Sequence, residues 1–391
     1  MKKIIFAILC GLSLIACQPK HDGYTIHGNI AGSKNGLKVI LQKDFIYPPV
    51  VIDSTILQNG KFLFKGKLDN PGAYRILIEN GEDKLSSNFY LENSDITYSG
   101  NIDSLQSYYG SQDTFRKEAV VTGSATQDLY NQYKKNVQAL NEKYRNLEEE
   151  YVKVYYIPAF NDTFNTREGV ALAREMEKVE KDIQTAQWNF IEQHPGSIVG
   201  YDLACRFLDG MFVNITVQQI DRLTGIITKA WAAQPDKIAD FKTKAEKARP
   251  VALGSKYPDI ELINTKGEKV MLSEYIPEGK YTMLEFWSSW CGPCRGEIPH
   301  LRHVYKEYKD KGFEIVSVSI DDNKADWDKA MDEEKMVWKQ LCDPKVLDGG
   351  VGKVYNVQGV PHCILLDKEG RIFKTNMLGA ALDAELEILL Q

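Results

Sequence analysis

"EFWSSWCGPCRGEIP", Glu285 to Pro299, decides how the last third of this 391-residue chain is read. Two cysteines, Cys291 and Cys294, stand two residues apart between an apolar run and a helical pattern. That spacing allows a local disulfide at a helix start. Cys291 then falls at the helix N-terminus, where unpaired backbone N–H groups and the helix dipole favour a thiolate. In such a pair the thiol pKa can fall to about 7 or below, from about 8.5 for a free cysteine. Cys294, almost one turn on, is expected to face inward. A closed zinc site needs four ligands and one Cys-x-x-Cys supplies two. No second pair follows, and His300, His303, Cys342, His362 and Cys363 lack ligand spacing. His300 and His303 share a helix face and read as surface residues.

Around this stretch, strands and helices alternate. "YTMLEFW" reads as a buried strand, "CRGEIPHLRHVYKEYKD" as a helix and "FEIVSVSI" as a strand. "KADWDKAMDEEK" reads as a helix, "VPHCILLD" and "RIFKTNML" as strands, and "LDAELEILLQ" as a closing helix. That order predicts a mixed sheet between helices over residues 251–391, entered through a linker at Arg249 to Leu262.

Upstream, the pattern changes twice. Residues 24–123 hold short β-rich runs punctuated by Lys34-Asn35-Gly36, Asn59-Gly60, Asn70-Pro71-Gly72 and Asn80-Gly81, which predicts an all-β sandwich or small barrel. Asn59-Gly60 between two apolar runs is a hairpin signal. Residues 124–250 read as helical. Ser124 with Gln127 forms a capping box. Leu129, Tyr133, Val137, Leu140, Tyr144, Leu147 and Tyr151 then make one helical stripe. A second helix starts near Asn165 with a stripe of Met176, Val179, Ile183, Ala186 and Phe190. Three shorter helices follow, near Ile198–Leu208, Thr216–Ile227 and Ile238–Ala248. Trp188, Trp231, Trp327 and Trp338 sit in apolar patterns and read as packing residues.

The first residues, "MKKIIFAILCGLSLIACQPK", join two lysines to an apolar run too short to span a bilayer, the pattern of a signal peptide over residues 1–16. Leu14-Ile15-Ala16-Cys17 resembles the bacterial lipoprotein lipobox, which implies cleavage before Cys17, lipid on its sulfur and a lipidated tether over residues 17–23. Several acyl chains hold a protein to a membrane where one does so only marginally. Localisation is then expected in the cell envelope, facing the periplasm. Gln18 leans towards the outer membrane, with the inner one still open. Losing Lys2 and Lys3 takes the formal charge from −6 to −8, and no long basic run appears, which argues against nucleic-acid binding. Five cysteines remain, an odd and sparse set that is no disulfide framework. Cys205 and Cys342 read as core, as does Cys363, for which a third redox thiol is the alternative.

Residues 251–391 resemble the thioredoxin fold, and within it the TlpA/ResA-like branch of membrane-tethered thiol–disulfide oxidoreductases. The resemblance rests on "FWSSWCGPC" with Trp290 before the first cysteine, Pro299 five residues after Cys294, "VPHCILLD" with Pro361, "NMLGA" with Gly379, and the extra segment from Asp321 to Asp348. The Thr-x-x-Cys context of peroxiredoxins is absent, with Ser288-Ser289-Trp290-Cys291 in its place. The whole chain resembles multidomain lipoproteins of Bacteroidetes-type bacteria. The family implies a disulfide relay. Cys291 attacks a substrate disulfide, Cys294 resolves the mixed disulfide, and no cofactor is needed beyond the Cys291–Cys294 pair. Gly292-Pro293 implies a relatively reducing couple.

Glu285, six residues before Cys291, stands where thioredoxins carry a buried Asp, and Glu297, three after Cys294, where ResA-like proteins carry a Glu. Both are expected to handle protons near the disulfide. Pro361 is expected in cis after Val360, the two docking substrate together with Trp290. Implied partners are protein disulfides and a membrane electron donor of the DsbD type. The upstream helices would act as a spacer that holds the redox head away from the membrane. A different reading makes the chain an envelope partner-binding lipoprotein with the thioredoxin domain as adaptor. Wild-type function in a strain with both cysteines replaced by serine would favour that adaptor.

Overall fold

The computed structural model describes residues 21–43, 48–108, 117–161, 163–209, 212–345 and 350–390. The signal segment 1–16, Cys17 and most of the tether lie outside the described residues. Contacts divide the chain into two compact units, residues 1–132 and 133–391.

The first unit is a β-sandwich. Its strands are β1 (Tyr24–Ala31), β2 (Lys38–Lys43), β3 (Val51–Ile56), β4 (Lys61–Gly66), β5 (Gly72–Asn80), β6 (Asp83–Leu91), β7 (Asp95–Asn101) and β8 (Val120–Thr122). Among the described residues they form two four-stranded sheets, β4-β1-β7-β8 and β3-β2-β5-β6. Alternating side chains such as Ile26, Ile30, Phe64 and Tyr98 from one sheet meet Leu41, Ile76, Ile78 and Phe89 from the other in one buried core. The Asn59-Gly60 turn forms, with both residues at positive φ and Gln58 and Lys61 exchanging backbone hydrogen bonds. The strands it joins belong to different sheets, because Leu57 is fully buried and turns the chain into the second layer.

Helix α1 (Ala125–Tyr151) begins at the expected cap, with Gln127 N–H donating to Ser124 Oγ at 2.9 Å. The capping box is only half made. Gln127 Oε1 instead accepts the Tyr90 N–H of β6 at 2.7 Å, so the amide serves the sheet rather than its own helix. The α1 stripe is buried only at Tyr133 and Val137. Leu140, Tyr144, Leu147 and Tyr151 are half-buried.

In the second unit α1 passes into a π-helical turn (Val152–Tyr156) and the short α2 (Ile157–Ala159), then α3 (Thr166–Gln193), α4 (Ile198–Asp209), α5 (Val217–Ala230) and α6 (Pro235–Ala248). The thioredoxin-like part follows as β9 (Glu261–Asn264), β10 (Lys269–Met271), β11 (Tyr281–Trp287), α7 (Gly292–Tyr308), β12 (Phe313–Ser319), α8 (Lys324–Glu333), β13 (Lys339–Cys342), α9 (Val351–Val354), β14 (His362–Leu366), β15 (Ile372–Thr375) and α10 (Ala380–Leu389). Its sheet runs β10-β9-β13-β12-β11-β14-β15, with β11, β12 and β13 parallel and the others antiparallel. The linker read at Arg249 to Leu262 ends inside β9, a short and partly exposed strand that gives little period-2 signal.

The helical region docks on the thioredoxin-like part. Tyr155, Ala159, Val170 and Ala173 bury themselves against Ala380 and Ala384 of α10. Small alanines on both sides let the helices approach closely, so α3 packs on the thioredoxin-like part rather than standing away from it.

Candidate active site

Strand β11 is buried almost throughout, which fixes its C-terminal end and the loop Ser288–Trp290 at the edge of the core. Asp321 clamps that loop. Its carboxylate accepts Ser289 N–H at 2.9 Å, Ser289 Oγ at 2.6 Å and Ser319 Oγ at 2.6 Å. Cys291 is the N-cap of α7, and Cys294 N–H donates to Cys291 Sγ at 3.2 Å. The two cysteines are disulfide-bonded, S–S 2.02 Å. Cys291 is 5% exposed and Cys294 fully buried, so of the two residues only the first reaches the surface at all. Trp290 beside it is 66% exposed.

The Val360–Pro361 peptide is cis, and Val360 packs against the core that holds both cysteines. Cys363 is fully buried, its thiol donates to Met377 O at 3.3 Å, and burial pushes its pKa well above the ordinary thiol value. Cys342 is buried, whereas Cys205, read as core, is only half-buried. Trp231, Trp327 and Trp338 are buried, and Trp188 is half-buried.

The two acids sit in different environments. Glu285 on β11 is 1% exposed, pairs in register with Cys363 of β14 and accepts a hydrogen bond from Ser317 Oγ. Trp338 Nε1 donates to the same Ser317 Oγ at 2.7 Å, which directs the hydroxyl proton to Glu285. Burial raises the Glu285 pKa to about 8, the Ser317 hydrogen bond opposes it, and the charge of Glu297 adds to the rise.

Glu297 belongs to a chain of buried polar groups. Its Oε1 accepts Gly379 N–H at 2.7 Å and lies 2.9 Å from His300 Nδ1. His300 Nε2 is 3.0 Å from Asp383 Oδ2, and Tyr155 Oη donates to that same oxygen at 3.3 Å. Gly379 is required there. It has φ +53°, and a Cβ would stand 2.5 Å from Tyr151 Oη. Burial disfavours the His300 cation, but Glu297 and then Asp383 outweigh it and raise its pKa to about 10. His300 is therefore an imidazolium between two carboxylates at neutral pH.

The surface reading of His300 is wrong, because the helical region covers that face of α7. Tyr155 and Phe164 lie against the His300 ring, and Phe164 stacks on His303 at 5.3 Å. The Glu297–His300 spacing of three residues on one helix was a signal for this pair. Asp383 and Tyr155, 83 and 228 residues from His300 and Asp383 respectively, gave none.

His362, next to the cis proline, is buried and stacks on Phe212 of the helical region, ring centroids 4.9 Å apart. Burial lowers its pKa to about 4, so it is neutral. Among the described residues no three His, Cys, Asp or Glu side chains are grouped to hold a metal ion.

Residues 253–375 match the AhpC/TSA family, and residues 24–130 match a domain of unknown function, DUF4369. The thiol–disulfide oxidoreductase ResA of Geobacillus kaustophilus is 34% identical over 122 residues, 31% of this chain and 67% of that relative. Its counterpart in Bacillus thuringiensis subsp. konkukian is 33% identical over 138 residues, 34% of this chain and 73% of the relative. Among solved structures, the thioredoxin domain of a Bacteroides vulgatus thiol–disulfide oxidoreductase is 37% identical, covering 36% of this chain and 99% of its own, with a TM-score of 0.33. A thiol–disulfide oxidoreductase from Bacteroides fragilis is 34% identical, covering 35% of this chain and 100% of its own, with a TM-score of 0.33. The AhpC/TSA match takes in the disulfide and the cis proline, and a ResA relative is spanned over 67% of its length at 34% identity; the chain belongs to the ResA-like thiol–disulfide oxidoreductases of the thioredoxin fold.

Proposed function

We propose that the protein is a lipid-anchored reductase of protein disulfides in the cell envelope, working through Cys291 and Cys294. The observation that carries this reading is the asymmetry of the pair, one cysteine at a helix N-cap and reaching the surface, the other inside the helix and fully buried. In the reduced protein the Cys291 thiolate attacks one sulfur of a substrate disulfide. That bond breaks, one substrate thiolate leaves, and a mixed disulfide forms on Cys291. Cys294 then gives up its proton and attacks Cys291 Sγ. The second substrate thiolate leaves and is protonated, and the Cys291–Cys294 bond closes. Two electrons pass from the pair to the substrate, and a membrane dithiol donor of the DsbD type restores them. Trp290, Val360 and Pro361 flank the incoming chain. The test is reduction of insulin by the reduced full chain, followed as precipitation of the freed B chain. No turnover above the uncatalysed rate would refute this reading.

Glu285 is the proton acceptor for Cys294 in this scheme, and Glu297 is already held by Gly379 and His300. Glu285→Gln is expected to move the pH dependence of mixed-disulfide release upward and slow release at pH 7 about tenfold. Stopped-flow release across pH 6 to 9 checks this. An unchanged profile would remove Glu285 from the mechanism. The same group makes stability pH-dependent. Its folded pKa, about 8, lies above its ordinary 4.5, so its contribution to stability is full below pH 4.5 and declines as pH rises through 8. That decline is expected to be absent in Glu285→Gln urea titrations.

The anchor is Cys17. Cys17→Ser is expected to shift the protein from the membrane to the soluble fraction after cell lysis. Retention in the membrane fraction would overturn the lipid-anchor assignment.

A further inference from the structure

The helical region places an exposed apolar surface beside the exchange site. Ile157 is 57% exposed, Phe160 45% and Tyr156 36%. Tyr156 and Phe160 pack edge to face, centroids 4.9 Å apart. The Phe160 ring lies directly on α7. A Cβ built on Gly296 would stand 1.8 Å from Phe160 Cε1, so only glycine lets the ring approach the helix this closely. Gly296 is one helical turn from Gly292, about 6 Å along the axis. Gly292 and Pro293 are exposed, and a side chain at Gly292 would meet nothing within 4 Å. Gly292 and Gly296 thus share one face of α7, and Phe160 lies on that face one turn from the exchange site, with Tyr156 and Ile157 exposed beside it in sequence. The segment is held from behind by Tyr155 on Asp383 and by Ala380 N–H on Tyr151 Oη, so its position is fixed relative to the cysteines.

We propose that Tyr156, Ile157 and Phe160 form a docking ledge for apolar residues that flank the reacting cysteine of a substrate polypeptide. This rests on the exchange reading above. A substrate cysteine joined to Cys291 must lay its own chain over the surface around the disulfide. An extended chain advances about 3.3–3.6 Å per residue, so positions two to four from the substrate cysteine reach the ledge. None of the three ledge side chains carries a charge, which selects apolar neighbours over charged ones. The same surface gives nothing to a disulfide whose flanks are Ser and Gly.

The experiment uses the reduced full chain and two disulfide-bonded peptides of equal length. One carries Leu and Phe two to four residues from the cysteine, the other Ser and Gly at those positions. The wild type is expected to favour the apolar peptide about tenfold in kcat/KM. The double variant Ile157→Ser/Phe160→Ser is expected to bring that ratio near one, and Ile157→Ser alone, at the most exposed of the three positions, to lower it about threefold. The single variant keeps the test open if the double variant does not fold. A wild-type ratio near one, or a ratio unchanged in the variants, overturns the ledge. If the wild type reduces neither peptide, the exchange reading itself fails and the ledge falls with it.

Discussion

His300→Leu is expected to lower the thermal midpoint of the unit that contains it by about 10 °C. His300 lies between Glu297 and Asp383 at hydrogen-bond distance on both ring nitrogens, and all three side chains are buried. Leucine keeps the volume but leaves two carboxylates without their cation. Breaking a buried ion pair in this way costs about 3–5 kcal/mol, more than the pair itself adds over an apolar replacement of both partners. The pH dependence has a definite sign. The folded pKa of His300, about 10, lies above its ordinary 6.5. Its contribution is complete below pH 6.5 and disappears as pH rises through 10. Thermal melts of the wild type are therefore expected to fall in midpoint between pH 7 and 10, and the variant to lose the part of that fall due to His300. Asp383→Asn in the His300→Leu background is expected to cost less than Asp383→Asn alone, since the two side chains share one network. Additive losses would show that they act separately.

Cys291→Ser is expected to reduce the rate of disulfide reduction below about one-thousandth of the wild type, because a serine hydroxyl does not form the mixed disulfide. The geometry makes the two cysteines unequal. Cys291 accepts the N–H of Cys294 at the start of α7 and is 5% exposed, whereas Cys294 is sealed in the core with Ile298 and Leu301. Cys291→Ser should therefore block the first covalent step, and Cys294→Ser only the second. Rapid-quench alkylation separates the two, and equal loss of the first step in both variants would contradict the assignment. Thermal stability is a necessary control, since either change also removes the disulfide.

Much of this site was legible in the sequence because its signals are local. The Cys-Gly-Pro-Cys spacing, the apolar run of β11 and the Val360-Pro361 dipeptide each fix a short piece of backbone. What stayed hidden depends on contacts far apart in the chain. Glu285 and Glu297 looked equivalent by position. They differ because Ser317 and the sheet enclose the first, while Gly379 and His300 hold the second. His300 looked like a surface residue on an amphipathic helix, and only the tertiary placement of Tyr155 and Phe164 buries it. The docking of the helical region was hidden for the same reason. Its Lys- and Glu-rich faces announce solvent, but the residues that dock it, Ala159, Gly169 and Ala173, are small and carry no periodic signal. In the sandwich, the Asn59-Gly60 turn was legible and its strand partners were not, because turn chemistry is local and sheet membership is set by where Leu57 is buried.

Covalent exchange at Cys291 is the central step, and a trap tests it most directly. The reduced Cys294→Ser full chain would be mixed with a disulfide-bonded peptide and read by intact-mass spectrometry after acid quench. The expected result is one stoichiometric adduct of the peptide's thiol half, lost on adding dithiothreitol and mapped by proteolysis to Cys291. No adduct, or an adduct on Cys205, Cys342 or Cys363 instead, would contradict the account.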